Sequence, residues 1–153
     1  MTLHFAQTPL SDFTADICHD YDYQAEKRQI KLEFKSEAPD IKVWIDRDNF
    51  DKVITNLVNN AIKYTGDGGE ITVTVRQPDQ GHAELVVSDN GPGIDEAQLI
   101  KIFDRFYQSG ARPAAGQFSY GIGLNLTQKI VALHYGTVTA RNRSGGKGAE
   151  FIV

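Results

Sequence analysis

The chain has 153 residues, of which 41% are hydrophobic and 24% are charged. This length and composition are typical of one globular domain, and they exclude a disordered or collagen-like chain. The net charge of −4 argues against a protein that coats nucleic acid, and no apolar run reaches the ~20 residues that span a membrane.

The hydrophobic pattern predicts helices and strands along the whole chain. Phe13, Ile17 and Tyr21 recur every four positions, which indicates one apolar helix face. The predicted elements are, in chain order, a strand at 2–6, a helix at 10–28, strands at 30–34 and 41–45, a helix capped by Asp46 or Asp48 and ending near Tyr64, strands at 70–76 and 82–88, a short helix at 95–106, a helix at 124–135 stopped by Gly136, and a final hairpin of 137–143 and 149–153. This order predicts an α/β sandwich with one mixed sheet and helices on one of its faces.

Three polar residues form one stripe on the predicted long helix. Asn56, Asn60 and Lys63 stand at i, i+4 and i+7, which places them on the same face. The stripe could be a solvated surface, but asparagine is a poor helix former, and such a surface more often carries Glu, Lys, Gln or Ala. The alternative is chemistry, because an amide oxygen suits a Mg²⁺ ion carried by phosphates and Lys63 supplies positive charge for those phosphates.

The segment 89–94, Asp-Asn-Gly-Pro-Gly-Ile, follows the predicted strand at 82–88. A hairpin turn is one interpretation, because Asn-Gly is a strong turn dipeptide, but an amphipathic helix pattern follows instead of a partner strand. A carboxylate that leaves the interior of a sheet needs a hydrogen-bond donor, and the exocyclic amine of a bound base is one. The glycines would let a ring approach the backbone.

A third motif, Gly-Ile-Gly-Leu at 121–124, opens the last predicted helix. A helix N-terminus that follows glycines can bind an anion, because its free N–H groups and the helix dipole both favour phosphate. The pattern fits neither the dinucleotide fingerprint nor the P-loop. The preceding loop at 108–119 is rich in small residues, and it is interpreted either as a mobile lid over phosphates or as an ordinary surface loop.

Together these motifs resemble the catalytic and ATP-binding domain of bacterial sensor histidine kinases. In that family's terms they are the N box (56–64), the G1 box (89–94), the F box (103–106) and the G2 box (121–124). The resemblance covers about residues 10–153. It implies the α+β Bergerat fold shared with gyrase and MutL, a two-layer sandwich with a mixed five-stranded sheet, three main helices on one face and an ATP lid. It also implies that residues 1–9 end a linker from dimerisation and phosphoacceptor helices, and that residues 10–153 form the catalytic domain.

The resemblance implies ATP and Mg²⁺ as the bound cofactors and assigns a role to each matching residue. Lys63 and Arg105 would be the catalytic residues that contact the phosphates, with Arg112 as a further phosphate contact. Asn60 would ligate Mg²⁺, and Asn56 would support the phosphates or the metal. Tyr64 would contact the adenine or the ribose, Asp89 would accept a hydrogen bond from the adenine amine, and the nucleotide would approach the backbone closely at Gly91, Gly93 and Ile94. Phe103 and Phe106 would anchor the lid, and the N–H groups of Gly121, Gly123 and Leu124 would bind phosphate.

Two positions depart from the family's pattern. Asn125 stands where the G2 box usually has its last glycine, which leaves the close packing of the helix start in question. Ala149 stands where the final strand often has a threonine, which removes a hydroxyl near the base.

The resemblance also separates two chemistries. In the hydrolytic relatives a glutamate stands one turn before the metal-binding asparagine, whereas this chain has Asn56, a poor base. This favours transfer of the γ-phosphoryl group to a histidine. The alternatives are a degenerate nucleotide-binding or protein-interaction module and an ATPase. His19-Asp20 superficially fits an acceptor motif, but it lies inside the sandwich's own predicted helix and no proline follows at the expected spacing.

The acceptor is therefore expected on a helical domain of the same protein, outside this chain. Further expected partners are ATP or ADP and the receiver domain of a response regulator, with no nucleic acid. This chain is expected to be a monomer, and the parent protein a homodimer. The single cysteine, Cys18, fits a reducing compartment, so the predicted location is cytoplasmic, as a domain of a sensor that could itself be membrane-anchored.

Overall fold

The computed structural model of the chain describes residues 2–94, 99, 102–103, 121–143 and 148–153. The order of helices and strands through this part of the chain largely follows the prediction, and most of the predicted short helix at 95–106 lies outside the described residues. The elements are β1 (Ala6–Pro9), α1 (Leu10–His19), α2 (Asp22–Lys27), β2 (Lys31–Ser36), β3 (Lys42–Ile45), α3 (Arg47–Tyr64), β4 (Glu70–Asp79), β5 (His82–Asp89), α4 (Gly121–Leu133), β6 (Thr139–Asn142) and β7 (Ala149–Ile152).

Five of these strands form one mixed sheet in the order β2-β4-β5-β7-β6. The β2–β4 pair is parallel and the other pairs are antiparallel. Alternate residues of β4 are buried, and together with Leu85 and Val87 of β5 they join apolar residues of α1, α3 and α4 in one hydrophobic core. Each fully buried aliphatic side chain contributes about 1.5–3 kcal/mol to stability. The predicted α+β two-layer sandwich with a mixed five-stranded sheet is confirmed.

The long helix α3 begins at a side-chain cap. Asp46 Oδ1 accepts a hydrogen bond from the Asn49 N–H group at 3.0 Å, so Asp46 rather than Asp48 is the capping residue. The backbone N–H groups of His4 and Asn49 hold the pKa of Asp46 below its usual range. His134, just beyond α4, accepts a hydrogen bond from the Asp46 N–H group at 3.0 Å. The start of α3 is therefore fixed to the end of α4.

Two predictions for the N-terminal region were wrong. The first strand lies at Ala6–Pro9 rather than at 2–6, and it pairs with β3 in a separate two-stranded sheet. Pro9 is tolerated there because it is the last residue of the strand, and the Leu10 N–H group continues the pairing to the Ile41 carbonyl. The predicted helix at 10–28 is broken between α1 and α2, where the N–H groups of Asp20 and Tyr21 bond three residues back instead of four.

The helix α4 ends in a Schellman motif that has no glycine at its left-handed position. The Gly136 N–H group bonds the Val131 carbonyl at 3.0 Å and the Tyr135 N–H group bonds the Ala132 carbonyl at 3.0 Å. Tyr135 has a φ of 62° and is 94% exposed. The left-handed turn is therefore made one residue before Gly136, the residue predicted to stop the helix.

We expect Tyr135→Gly to stabilise the domain by about 0.5–1 kcal/mol, because glycine relieves the left-handed strain of a residue that has a Cβ atom. Thermal unfolding would show this as a melting temperature higher by a few degrees. Tyr23 provides the matched control, because it is also an exposed tyrosine but lies in the right-handed backbone of α2. Tyr23→Gly should lower the melting temperature, and a loss of stability in both variants would contradict the strain argument.

Candidate functional site

The end of α3 and the loop that follows β5 meet where the central strand of the sheet ends. A Cβ atom on Gly91 would lie 2.8 Å from the Tyr64 carbonyl oxygen, so only a glycine permits this approach. Asn90 fixes the same loop to the start of β4, because its Oδ1 atom accepts from the Glu70 N–H group at 2.8 Å. The end of the helix that carries the polar stripe therefore lies next to the glycine-rich segment identified in the sequence.

Asp89 is the last residue of β5 and is only 7% exposed. Its Oδ1 atom accepts hydrogen bonds from the N–H groups of Gly91 at 2.9 Å and Ala149 at 3.4 Å. Burial raises the pKa of this carboxyl group, although these two N–H groups and the charge of Arg143 oppose the rise. A buried carboxylate of this kind is suited to accept a hydrogen bond from a neutral donor on a ligand.

The asparagines of the α3 stripe do not form a solvated surface. Asn60 is 7% exposed, and its Nδ2 atom has no hydrogen-bond partner within the described part of the chain. Asn56 is half-buried and donates from Nδ2 to Thr127 Oγ1 of α4 at 3.4 Å. The nitrogen and oxygen of an amide exchange places when the group turns over, so Asn60 can present either a donor or an acceptor to a ligand.

Lys63 and Tyr64 lie half-buried in the last turn of α3. Lys63 lines a shallow groove of about 270 Å³ together with Lys27 and Arg28. This groove gathers positive charge beside the end of α3. This groove lies on the side of α3 that faces α2 and is also lined by Asn59, so it does not bring Lys63 together with Asp89.

The start of α4 is tied to the residues that precede the 104–120 segment. Ile102 is fully buried, and Phe103 meets the Phe151 ring of β7 edge-on, with 6.4 Å between ring centroids. Asn125 donates from Nδ2 to the Phe103 carbonyl at 3.1 Å. The residue that departs from the G2 pattern thus makes a specific contact of its own.

The glycines of the third motif open a helix, as the sequence predicts. Gly121 is the first residue of α4, Gly123 lies in its first turn and Leu124 is fully buried. The first turn of a helix has N–H groups without partners inside the helix, and these can bind an anion. Arg105, Phe106, Arg112 and the loop at 108–119 lie outside the described residues.

Several residues that shape the site were not identified from the sequence. Asn142 bonds both backbone groups of Ile94, Arg143 bonds the Asp89 carbonyl, and Thr127 bonds Asn56. Gly148 has a φ of 118°, and a Cβ atom there would collide with the Asp89 carbonyl. Of these residues, only Gly148 could have been recognised from the sequence, because it begins the Gly-Ala dipeptide before the last strand. Asn142, Arg143 and Thr127 lie in or beside a strand or helix whose local sequence does not indicate their contacts.

Comparison with known proteins identifies the family. A model of the histidine kinase-, DNA gyrase B- and HSP90-like ATPases matches residues 45–153. The chain belongs to this family. It is therefore an ATP-binding domain, and we refer to it as the ATPase-family domain.

Relatives of the ATPase-family domain include a sensor histidine kinase and a sensor protein. The domain is 33% identical over its whole length to the sensor histidine kinase TmoS of Ectopseudomonas mendocina, of which it spans 16%. It is 33% identical over 139 residues, 82% of its length, to the sensor protein SrrB of Staphylococcus aureus, of which it spans 23%. The chain thus spans less than a quarter of either relative.

Solved structures agree with this assignment. The catalytic domain of the histidine kinase ThkA superposes with a TM-score of 0.85 at 28% identity, covering 98% of this chain and 93% of that one. ThkA in complex with the response regulator TrrA matches with a TM-score of 0.79 at 27% identity, covering 97% of this chain and 40% of that one.

The described helices of the ATPase-family domain include none that is long and apolar enough to cross a membrane. Nor do the described residues contain a cluster of three or more His, Cys, Asp or Glu side chains that could hold a metal ion.

Proposed function

We propose that the domain is the catalytic part of a histidine protein kinase, which binds Mg·ATP and transfers its γ-phosphoryl group to a histidine on a separate helical domain. The observation that carries this proposal is the buried Asp89 carboxylate, located beside the amide-bearing end of α3. An acceptor for a base and polar groups for phosphates then lie at the same edge of the sheet.

Recognition of the base is assigned to the loop that follows β5. Asp89 would accept a hydrogen bond from the exocyclic amine of adenine, a donor that suits a carboxylate already held by two backbone N–H groups. The Tyr64 carbonyl and the Asn142 amide occupy the space beside Gly91 and Gly93, so these glycines would serve the nucleotide by letting the loop pack closely, with Ile94 beside the base. Tyr64 would lie along the adenine or the ribose. Guanine presents a carbonyl oxygen in place of the amine, so the same carboxylate would repel it.

The phosphates are assigned to α3 and to the start of α4. The N–H groups of Gly121, Gly123 and Leu124 would hold phosphate oxygens, Lys63 would add positive charge, and Arg105 is proposed as a further phosphate contact. Phe103 and Phe106 would anchor the segment between these elements.

The Asn60 side chain is buried, and its amide oxygen is a neutral, hard ligand of the kind that Mg²⁺ prefers, which supports a role in binding the ion. Asn56 would support the same group. The ion, when bound, would neutralise charge on the phosphate oxygens.

Transfer to a histidine is favoured over hydrolysis by the chemistry of Asn56. Hydrolysis needs a group that orients or deprotonates water, and a neutral amide that already donates to Thr127 is a poor base. In the transfer, a nitrogen of the acceptor imidazole forms a bond to the γ-phosphorus, and the bond from that phosphorus to the β,γ-bridging oxygen breaks. ADP leaves with the bond's electron pair, and the imidazole gives up its proton to solvent.

The test uses calorimetry and a transfer assay. The domain should bind Mg·ADP with measurable heat, release inorganic phosphate from ATP only at background level, and phosphorylate a supplied helical pair that carries the acceptor histidine. A folded domain that gives no heat with Mg·ADP would refute the proposal. Steady phosphate release without an acceptor would favour an autonomous ATPase, and binding without transfer would favour a degenerate module.

The remaining partners are proposed from the relatives. ThkA has been solved with the response regulator TrrA, which supports a receiver domain as the final phosphoryl acceptor here. We propose that residues 1–9, of which Ala6–Pro9 form β1, connect the acceptor helices to the domain. We also propose that the parent protein is a homodimer formed through those helices, and that the domain functions as a monomeric unit on the cytoplasmic side.

A further inference from the structure

Two adjacent residues at the end of β6 hold both ends of the loop that follows β5. Asn142 accepts from the Ile94 N–H group at 2.8 Å and donates to the Ile94 carbonyl at 2.7 Å. Arg143 donates from Nη1 to the Asp89 carbonyl at 3.3 Å. Because β7 lies between β5 and β6 in the sheet, these contacts are made by side chains and not by strand pairing.

The amide of Asn142 forms the two backbone hydrogen bonds with Ile94 that a neighbouring strand would otherwise form. Ile94 lies five residues beyond the end of β5 and is 8% exposed, so its backbone groups need partners. A side-chain amide offers one donor and one acceptor in the arrangement of a peptide group, and it satisfies both. A buried backbone group left without a partner would cost about 1–3 kcal/mol.

Gly93 is shaped to admit this amide. It has a φ of 82°, and a Cβ atom on it would lie 2.9 Å from Asn142 Oδ1. The glycine therefore serves the contact with Asn142 as well as the turn of the backbone. The position of the loop 89–94 depends on a residue that is 48 positions away in the sequence.

Arg143 acts on the other end of the loop. Its backbone N–H group bonds the Gly148 carbonyl at 2.9 Å, which ties it to the entry of β7. From there its guanidinium group holds the Asp89 carbonyl, and its charge lowers the pKa of the Asp89 carboxyl group against the opposing effect of burial. Arg143 thus favours the ionised form that a base amine would require.

We infer that Asn142 and Arg143 are positioning residues that set the shape and charge of the base-recognising loop, and so contribute to the selection of adenine over guanine. This inference rests on the proposed function. A purely structural role would change the stability of the domain but would leave its base preference unaltered.

The first test is Asn142→Asp, which keeps the size and the acceptor but places an oxygen against the Ile94 carbonyl. We expect the Kd for ADP to rise about tenfold, the scale of one lost hydrogen bond, with a smaller ratio of GDP to ADP dissociation constants. Arg141→Gln is the matched control, because Arg141 lies on the same strand but has an exposed side chain that pairs with Glu150 on β7. Its nucleotide binding should equal that of the unmodified domain.

The second test, Arg143→Gln, decides the inference even if the first variant fails to fold. Removal of the positive charge raises the pKa of Asp89, so the loss of ADP binding on acidification should begin at a higher pH than in the unmodified domain. Variants that keep the original base preference and pH profile would overturn this inference alone. An unmodified domain that binds no nucleotide would instead overturn the proposed function.

Discussion

Asp89→Asn should abolish nucleotide binding while leaving the fold intact. Backbone N–H groups occupy Oδ1 of Asp89, so the oxygen of an asparagine would keep that place and its NH₂ group would face the amine of the base. Two opposed donors replace a charge-assisted hydrogen bond, and we expect ADP affinity to fall about 100-fold or more, or about 3 kcal/mol. Titration calorimetry with Mg·ADP measures this directly.

The same substitution should not lower stability. The pKa of Asp89 is raised, so the folded state binds the proton more tightly than the unfolded state, and stability falls as pH rises through that range. A neutral asparagine removes the cost of burying the ionised group, and the melting temperature at pH 7 should be unchanged or higher. Asp79→Asn is the control, because Asp79 is exposed in the β4–β5 hairpin and far from the loop in the sheet. An Asp89→Asn variant that bound ADP as tightly as the unmodified domain would contradict the assignment of Asp89 as the residue that recognises the base.

The pH dependence of binding gives an independent check. Adenine would prefer the ionised carboxylate, so affinity is complete above the folded pKa of Asp89 and is lost as the pH falls through it. Because burial raises that pKa, the loss should begin at a higher pH than an ordinary carboxyl group would give. A loss of affinity that began only at the pH of an ordinary carboxyl group would contradict this expectation.

The motifs could be predicted from sequence because each is a local chemical anomaly. Asparagines in the middle of a helix and an aspartate before Asn-Gly-Pro-Gly conflict with the ordinary preferences of helices and turns, and such conflicts mark functional sites. The α/β order and the mixed sheet followed from hydrophobic periodicity. The sequence could not decide whether Asp46 or Asp48 caps α3, because both residues precede the same apolar run.

The supporting contacts could not be predicted, because they join residues far apart in the chain. Asn56 meets Thr127 across 71 positions, and nothing local in either residue indicates the other. The break between α1 and α2 escaped prediction for a related reason: the four-residue repeat through Tyr21 continues across it, while tertiary packing reorients the chain so that Ala25 is buried. The contact of Asn125 could not be predicted either, because its partner, the Phe103 carbonyl, is 22 positions away in the sequence.

Asn60→Ala should remove the Mg²⁺-dependent part of nucleotide affinity. If the Asn60 amide ligates the ion, the unmodified domain should bind ADP much more tightly with Mg²⁺ than with EDTA. The variant should lose most of that difference, with affinity in Mg²⁺ lower by about 10- to 100-fold, the range typical of a disturbed metal site. Calorimetry in the two buffers gives the ratio, and transfer to the acceptor helices should fall in parallel.

The stability of this variant separates function from folding. Asn60 Nδ2 is buried without a partner in the described residues, so its removal relieves an unsatisfied group and offsets the small cavity that alanine leaves. We therefore expect the melting temperature to change by only a few degrees. Asn59→Ala is the matched control, since Asn59 is the neighbouring asparagine and lines the groove toward α2. If both variants kept the full effect of Mg²⁺, the amide of Asn60 would not be a ligand, and the unpartnered atom would need another explanation.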